Sequence, residues 1–170
     1  MPTYGEVQKG EPLIAQFLTK KLHKFTFELH PELWGILRLR EYYTGRLWQE
    51  VPFFDPPAVG IPTEPGIYMF VAAPHCGTLK DHSYIFYVGK TKDLKRRYYD
   101  YIAEQKGLGT NPREEVVNFL HILKGYLVFH YTVVPEAELA EAEALLKDNL
   151  TPPANKQLEV LGRLEPAIPA

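Results

Sequence analysis

Two charged side chains in this sequence stand where packing alone would not put them. In "GKTKDLKRRYYDYI", residues 89–102, a helical wheel of about 100° per residue centred on Leu94 gathers Tyr98, Tyr101 and Ile102 around it. Arg97 borders that apolar stripe, and its neighbour Arg96 points away. Arg97 is therefore the candidate anion ligand of this run, the alternative being a stem that snorkels along the edge of the core. In "EAELAEAEALLKDNL", residues 136–150, the buried stripe consists of Leu139, Ala142, Leu146 and Leu150. Glu143 falls inside it, while Glu138, Glu141 and Asp148 lie off it. A carboxylate in such a place is costly unless it is paired or binds a metal. Two readings stay open: a structural salt bridge, with Arg97 as a candidate partner, or ligation of a hard divalent cation that bridges to phosphate.

The chain must supply a scaffold for these groups. Its 170 residues, 45% hydrophobic and 24% charged, suit one globular domain with a real core. A formal charge of -2 gives no global field to attract nucleic acid, so any anion site must arise from local clustering, which residues 90–97 provide. Cys76 is the only cysteine, which excludes an internal disulfide and a CxxC zinc site and fits a reducing cytosol. No apolar run is long enough to span a bilayer and "MPTYGEVQKGEP" lacks the apolar core of a signal peptide, so a soluble cytoplasmic protein is expected, with no membrane partner.

Prolines and periodicity divide the chain. "PLIAQFLTKKLHKF" and "HPELWGILRLREYYTGRLW" carry apolar residues at three- and four-residue spacing and predict an N-terminal helical extension. "VPFFDPPAVGIPTEPG", residues 51–66, is too rich in Pro and Gly for a helix and reads as a surface linker. "GIYMFVAAP" and "SYIFYVG" read as an antiparallel pair of strands joined by the long loop "APHCGTLKDH". Alternation puts Tyr68 and Phe70 on one face of the first strand, and Tyr87 opposite to Phe86 and Val88 on the second. Helices are expected from about Thr91 and over 112–124, a third strand over 126–134, and a last helix stopped by Pro152 and Pro153. The order β-β-α-α-β-α predicts an α+β fold: a small antiparallel three-stranded sheet flanked by helices. The expected division is an extension and linker over 1–60, a working domain over 61–158 and a tail over 159–170.

Here the residues resemble a known family. "GIY" at 66–68, "YVG" at 87–89 and the following "KTKDLKRR" are similar to the signature of the GIY-YIG nuclease superfamily. Arg97 lies eight residues after Gly89 and Tyr101 four further on, as in the family, and "EALLKDNLTPPANK" matches its closing pattern through Glu143 and Asn155. Five separated elements in the right order cover about 66–155. One departure stands out: the loop between GIY and YVG is longer than in the compact repair and homing forms, and looks more like the type II restriction branch.

The resemblance implies a divalent-metal-dependent DNA endonuclease that hydrolyses phosphodiesters, restriction-like in its sequence choice, with DNA as partner and a homodimer as one form of assembly. It implies that Glu143 holds Mg²⁺ or Mn²⁺ and that Arg97 binds the scissile phosphate. Tyr68 and Tyr87 would flank the attacking water, one of them as base, with the Lys90 ammonium favouring phenolate and Tyr101 orienting its neighbour. Asn155 would tie the C-terminal loop to the site, and Lys90, Lys92, Lys95 and Arg96 would meet the DNA backbone. The extension and the long loop would read sequence, because phosphate contacts carry none. Alternatives are a structure-specific repair or homing-type nuclease and a non-catalytic nucleic-acid-binding module. Lys20, Lys21, His23 and Lys24 are either a phosphate-contacting patch or a solvated helix face. Trp34, Tyr42, Tyr43 and Trp48 read as core rather than base-stacking groups, and Cys76 with His75 and His82 matches no common zinc spacing.

Overall fold

The computed structural model describes residues 27, 31–35, 37–57, 60–73, 83–110 and 113–155. The strands are β1 (Gln49–Pro52), β2 (Gly66–Ala72), β3 (Tyr84–Thr91) and β4 (Leu127–Val133). They form one antiparallel sheet in the spatial order β1-β4-β2-β3. The helices are α1 (Leu37–Thr44), α2 (Leu94–Gln105), α3 (Glu114–Ile122) and α4 (Leu139–Leu150). The expected α+β class with helices on an antiparallel sheet holds, with four strands among the described residues where three were expected.

Both faces of the sheet are covered, which explains why "GIYMFVA" is apolar throughout instead of alternating: all of β2 is buried. On one face Tyr68, Phe70, Tyr87, Phe129 and Tyr131 pack with Leu94, Tyr98 and Tyr101 of α2 and with Val116, Phe119 and Leu120 of α3. On the other, Ile67, Met69, Val71 and Val88 pack with Leu139, Ala142 and Leu146 of α4. Tyr42, Tyr43 and Trp48 lie half-buried against that second cluster, as core-type aromatics should. Trp34 is exposed and donates its indole N–H to the Asn149 carbonyl at 3.1 Å.

The fourth strand corrects the linker reading of 51–66. β1 pairs with β4 from Gln49↔Tyr131 to Pro52↔Val128, and Val51, Phe53 and Ile61 are core residues. Proline is tolerated because β1 is an edge strand, where a missing N–H need not break a ladder. Tyr98 fixes the turn beyond it, donating to the Phe54 carbonyl at 2.7 Å and accepting from the Phe54 amide at 3.1 Å. The sheet thus reaches back across the expected division at 60/61.

A β-bulge alters the expected facing of β3. Phe70 pairs with Tyr87 but Val71 with Ile85, so Phe86 is the extra residue, and both Phe86 and Tyr87 enter the tyrosine-bearing core. Tyr87 therefore does not point opposite to Phe86, although it does point opposite to Val88. α2 begins at Leu94 rather than Thr91, because Asp93 caps it by accepting from the Arg96 amide at 2.8 Å. α4 follows a 3-10 turn at Glu136–Glu138 and ends at Thr151, whose left-handed φ of 41° precedes Pro152.

α1 falls within the second expected helical stretch of the N-terminal region. The first stretch, Lys20, Lys21, His23 and Lys24, most of the 72–83 loop with His75, Cys76 and His82, and the 159–170 tail lie outside the described residues. No helix among the described residues is long and apolar enough to cross a membrane.

Candidate active site

The two glycines of the motif are required by close approach. A Cβ on Gly66 would sit 2.5 Å from the Thr132 carbonyl oxygen and 2.6 Å from Leu94 Cδ1. A Cβ on Gly89 would overlap the Tyr68 hydroxyl and lie 2.5 Å from Tyr68 Cζ. The register agrees, since Tyr68 is paired with Gly89. The missing side chain of one motif is the space into which the tyrosine of the other folds.

Tyr68 then meets α2. Its hydroxyl lies 2.9 Å from that of Tyr101 and accepts from Arg97 Nε at 3.2 Å. A second Arg97 nitrogen donates to the Tyr101 hydroxyl at 3.1 Å, and the guanidinium lies 4.3 Å from the Tyr101 ring centroid. Arg97 and Tyr101 can share these partners because they stand one helical turn apart on α2. Three of the expected site residues, Tyr68, Arg97 and Tyr101, are thus brought together. Arg96, by contrast, is exposed.

Tyr87 joins through a residue that sequence reasoning missed. Arg113, just before α3, donates from one terminal nitrogen to the Tyr87 hydroxyl and from the other to the Tyr101 hydroxyl at 2.6 Å. Its guanidinium lies 4.9 Å from the Tyr87 ring centroid. Two arginines therefore converge on Tyr101. A cation at a helix N-terminus opposes the helix dipole, and the Arg113 side chain caps nothing there, so its misplacement was a readable signal.

Glu104 was also missed. It is buried on α2, one carboxylate oxygen is 3.9 Å from an Arg97 terminal nitrogen, and the other has no hydrogen-bond partner among the described residues. Burial raises its pKa, against the pull of Arg97 and Arg113. Seven residues after Arg97, it shares that face of the helix, and the wheel could have found it.

Burial is also the main force on the phenols. It pushes the Tyr68 hydroxyl up to about 12, helped by Tyr87 and opposed by Arg97 and Tyr101. The Tyr101 hydroxyl is likewise raised by burial and by Tyr68 and Tyr87, with Arg97 and Arg113 pulling the other way. At neutral pH these two are neutral phenols that can pass hydrogen bonds without ionising.

Glu143 and Lys90 form a separate group. One Glu143 oxygen lies 2.9 Å from the Lys90 ammonium and the other 3.1 Å from that of Lys147, with the side chain 14% exposed. The salt-bridge partners are thus lysines and not Arg97, whose carboxylates are Asp100 at 3.6 Å and Glu104. Lys90 pairs in register with Ile67, on the face covered by α4, so it serves the carboxylate and not the tyrosines. The cations beside the tyrosines are Arg97 and Arg113.

Of the expected backbone contacts, Lys92 is paired with Glu136, and Lys95 and Arg96 are exposed on α2. Asn155 clamps the open edge of β3, its amide oxygen accepting from the Val88 N–H and its amide nitrogen donating to the Val88 carbonyl, both at 2.8 Å. It ties the C-terminal segment to the strand that carries Tyr87 and Gly89.

No family model matches the chain, and no curated protein does. Among solved structures, it is similar to the GIY-YIG N-terminal endonuclease domain of UvrC from Thermotoga maritima bound to its catalytic divalent cation, magnesium. The identity is 24%, over 55% of this chain and 85% of that chain, with a TM-score of 0.39. A point variant of the same domain gives 25% identity over 55% and 83%, also at a TM-score of 0.39. At these values the likeness adds nothing to what the chain's own residues argue.

Proposed function

We propose that this chain is a divalent-metal-dependent DNA endonuclease of the GIY-YIG type. The observation that carries the reading is the convergence of two guanidinium groups on a cluster of buried phenols, next to the glycine contact that the motif requires. A packed core has no need of that arrangement, whereas phosphodiester hydrolysis needs cations for the phosphoryl oxygens and fixed hydroxyls around a water.

In this reading Arg97 offsets charge developing on the scissile phosphate, and Asp100 and Glu104 set its side-chain position from behind. Tyr68, bound by Arg97 and Tyr101 and resistant to ionisation, acts as a hydrogen-bonding group rather than as the base. Tyr87 is then the group that takes the proton of water, acting as phenolate beside the Arg113 guanidinium and ending as the neutral phenol.

A magnesium ion fits the donor set. Among the described residues no three His, Cys, Asp or Glu side chains gather as a cage, and Mg²⁺ is commonly held by one or two carboxylates, waters and substrate phosphate. Glu143 would be its protein ligand, with Lys90 and Lys147 balancing the carboxylate. The ion would supply Lewis-acid stabilisation of the phosphate and leaving oxygen.

Glu143→Gln tests this reading. Mg²⁺-dependent cleavage of duplex DNA should vanish while DNA binding survives, and stability should change by only about 1 kcal/mol, because both lysine pairs are partly exposed. Retained cleavage by the variant sinks the assignment. Sequence-specific, restriction-like cutting is the finer proposal, motivated by the long 72–83 loop. Products from a randomised duplex library decide it, since cutting without a shared motif favours a structure-specific nuclease.

A further inference from the structure

Arg113 has more donors than the tyrosines use. We propose that Arg113 is a second phosphate-binding arginine of this site, gripping the DNA backbone beside Arg97. The inference rests on the DNA-processing reading above. A guanidinium carries five N–H donors in a planar fork, and Tyr87 and Tyr101 take one from each terminal nitrogen. The two phenols leave the other three for an incoming anion.

Charge balance sets Arg113 apart from Arg97, Lys90 and Lys92. Arg97 has Asp100 and Glu104 within 4 Å, Lys90 has Glu143 and Lys92 has Glu136. Among the described residues no carboxylate pairs with Arg113, although the residue is exposed and its guanidinium is held in place by two phenol oxygens and a ring face. A fixed cation with no carboxylate of the described residues in ion-pair contact, Glu104 acting on it only from further away, attracts phosphate and loses little freedom on binding it. Helix stability does not account for its position, since it opposes the α3 dipole and caps no amide. The competing account is a brace that only holds α3 to the sheet through Tyr87 and Tyr101.

Binding of a short fluorescent duplex of mixed sequence, with Ca²⁺ replacing Mg²⁺ and over a series of salt concentrations, separates the two. Arg113→Gln should lower the salt slope by about one counter-ion, whereas Tyr87→Phe should leave it unchanged. Cleavage by Arg113→Gln should fall roughly 10- to 100-fold. A slope equal to the parent's overturns the proposal and leaves the brace. Should Arg113→Gln fail to fold, arginine footprinting with phenylglyoxal on the unaltered protein decides: protection of Arg113 by the duplex supports the contact, and unprotected Arg113 in the bound protein overturns it. A parent that binds DNA and protects Arg113 but never cuts refutes the nuclease reading alone. A parent that binds no DNA refutes both.

Discussion

Replacing Gly89 with Ala would put a methyl group where the Tyr68 phenol now rests, within 2.5 Å of Cζ and closer still to the hydroxyl. An exposed side chain would swing aside, but Tyr68 is fully buried between Phe70, Phe129 and Tyr101, and Arg97 and Tyr101 bind its hydroxyl. Overpacking a core by one methyl costs about 1–3 kcal/mol. Displacing the ring also breaks the Tyr68 hydrogen bonds, at about 1 kcal/mol each. A total of about 3–5 kcal/mol corresponds to a fall in Tm of about 6–20 °C in a chain of this length. Thermal unfolding followed by circular dichroism measures it, with Gly60→Ala as the control, since nothing lies within 4 Å of a Cβ there. If Gly89→Ala melts with the parent and the control, Tyr68 is not held as described, and the account of the motif glycine fails.

The other predictions concern charge and the edge of the sheet. Arg97→Ala should lose cleavage by about 10²-fold or more, and Arg96→Ala should alter mainly the salt dependence; equal effects in a kcat/KM comparison would mean that the helical phase does not decide the role. Asn155→Ala leaves the Val88 N–H and carbonyl without their clamp and should cost about 1–3 kcal/mol in urea unfolding; an unchanged midpoint would show that water replaces the amide. Stability should also fall as pH rises from 10 towards about 12, because Tyr68 ionises near 10 in the unfolded chain but only near 12 in the folded one, so the unfolded state binds fewer protons in that window. Urea midpoints flat across this window would contradict the buried neutral phenol, and Tyr68→Phe should flatten the parent's slope.

Much of this arrangement was legible because it depends on local periodicity. The phase of α2 separated Arg97 from Arg96 before any tertiary contact was known, and the apolar runs gave β2 and β3. What was hidden depended on register. Whether Lys90 serves a tyrosine or a carboxylate turns on its pairing with Ile67, and a bulge at Phe70/Val71 decides that Tyr87 shares a face with Phe86. β1 was hidden for another reason: four residues ending in proline carry almost no strand signal, and their placement comes from pairing with β4 and from the Tyr98 hydroxyl at Pro52. Arg113 and Glu104 were within reach by the reasoning that exposed Glu143, a charge in a place that local rules disfavour.

The placement of charge explains how a chain with a formal charge of -2 could act on a polyanion. Its attraction has to be short-ranged, since the Debye length at physiological salt is about 8 Å and no global field adds to it. In the proposed reading Lys95 and Arg96 on the exposed face of α2 would provide the weak, salt-sensitive part, while Lys90 and Lys92 are neutralised by Glu143 and Glu136. In that reading Arg97 and Arg113 would provide the stronger part: Arg97 is half-buried against Tyr101, and Arg113, although exposed, is held by two phenol oxygens and the Tyr87 ring, so a phosphate contact there costs little ordering. The buried tyrosines therefore do two things at once. Their oxygens fix the two guanidiniums in place, and their rings cover one face of each, so that a phosphate would gain most when it reaches the site itself.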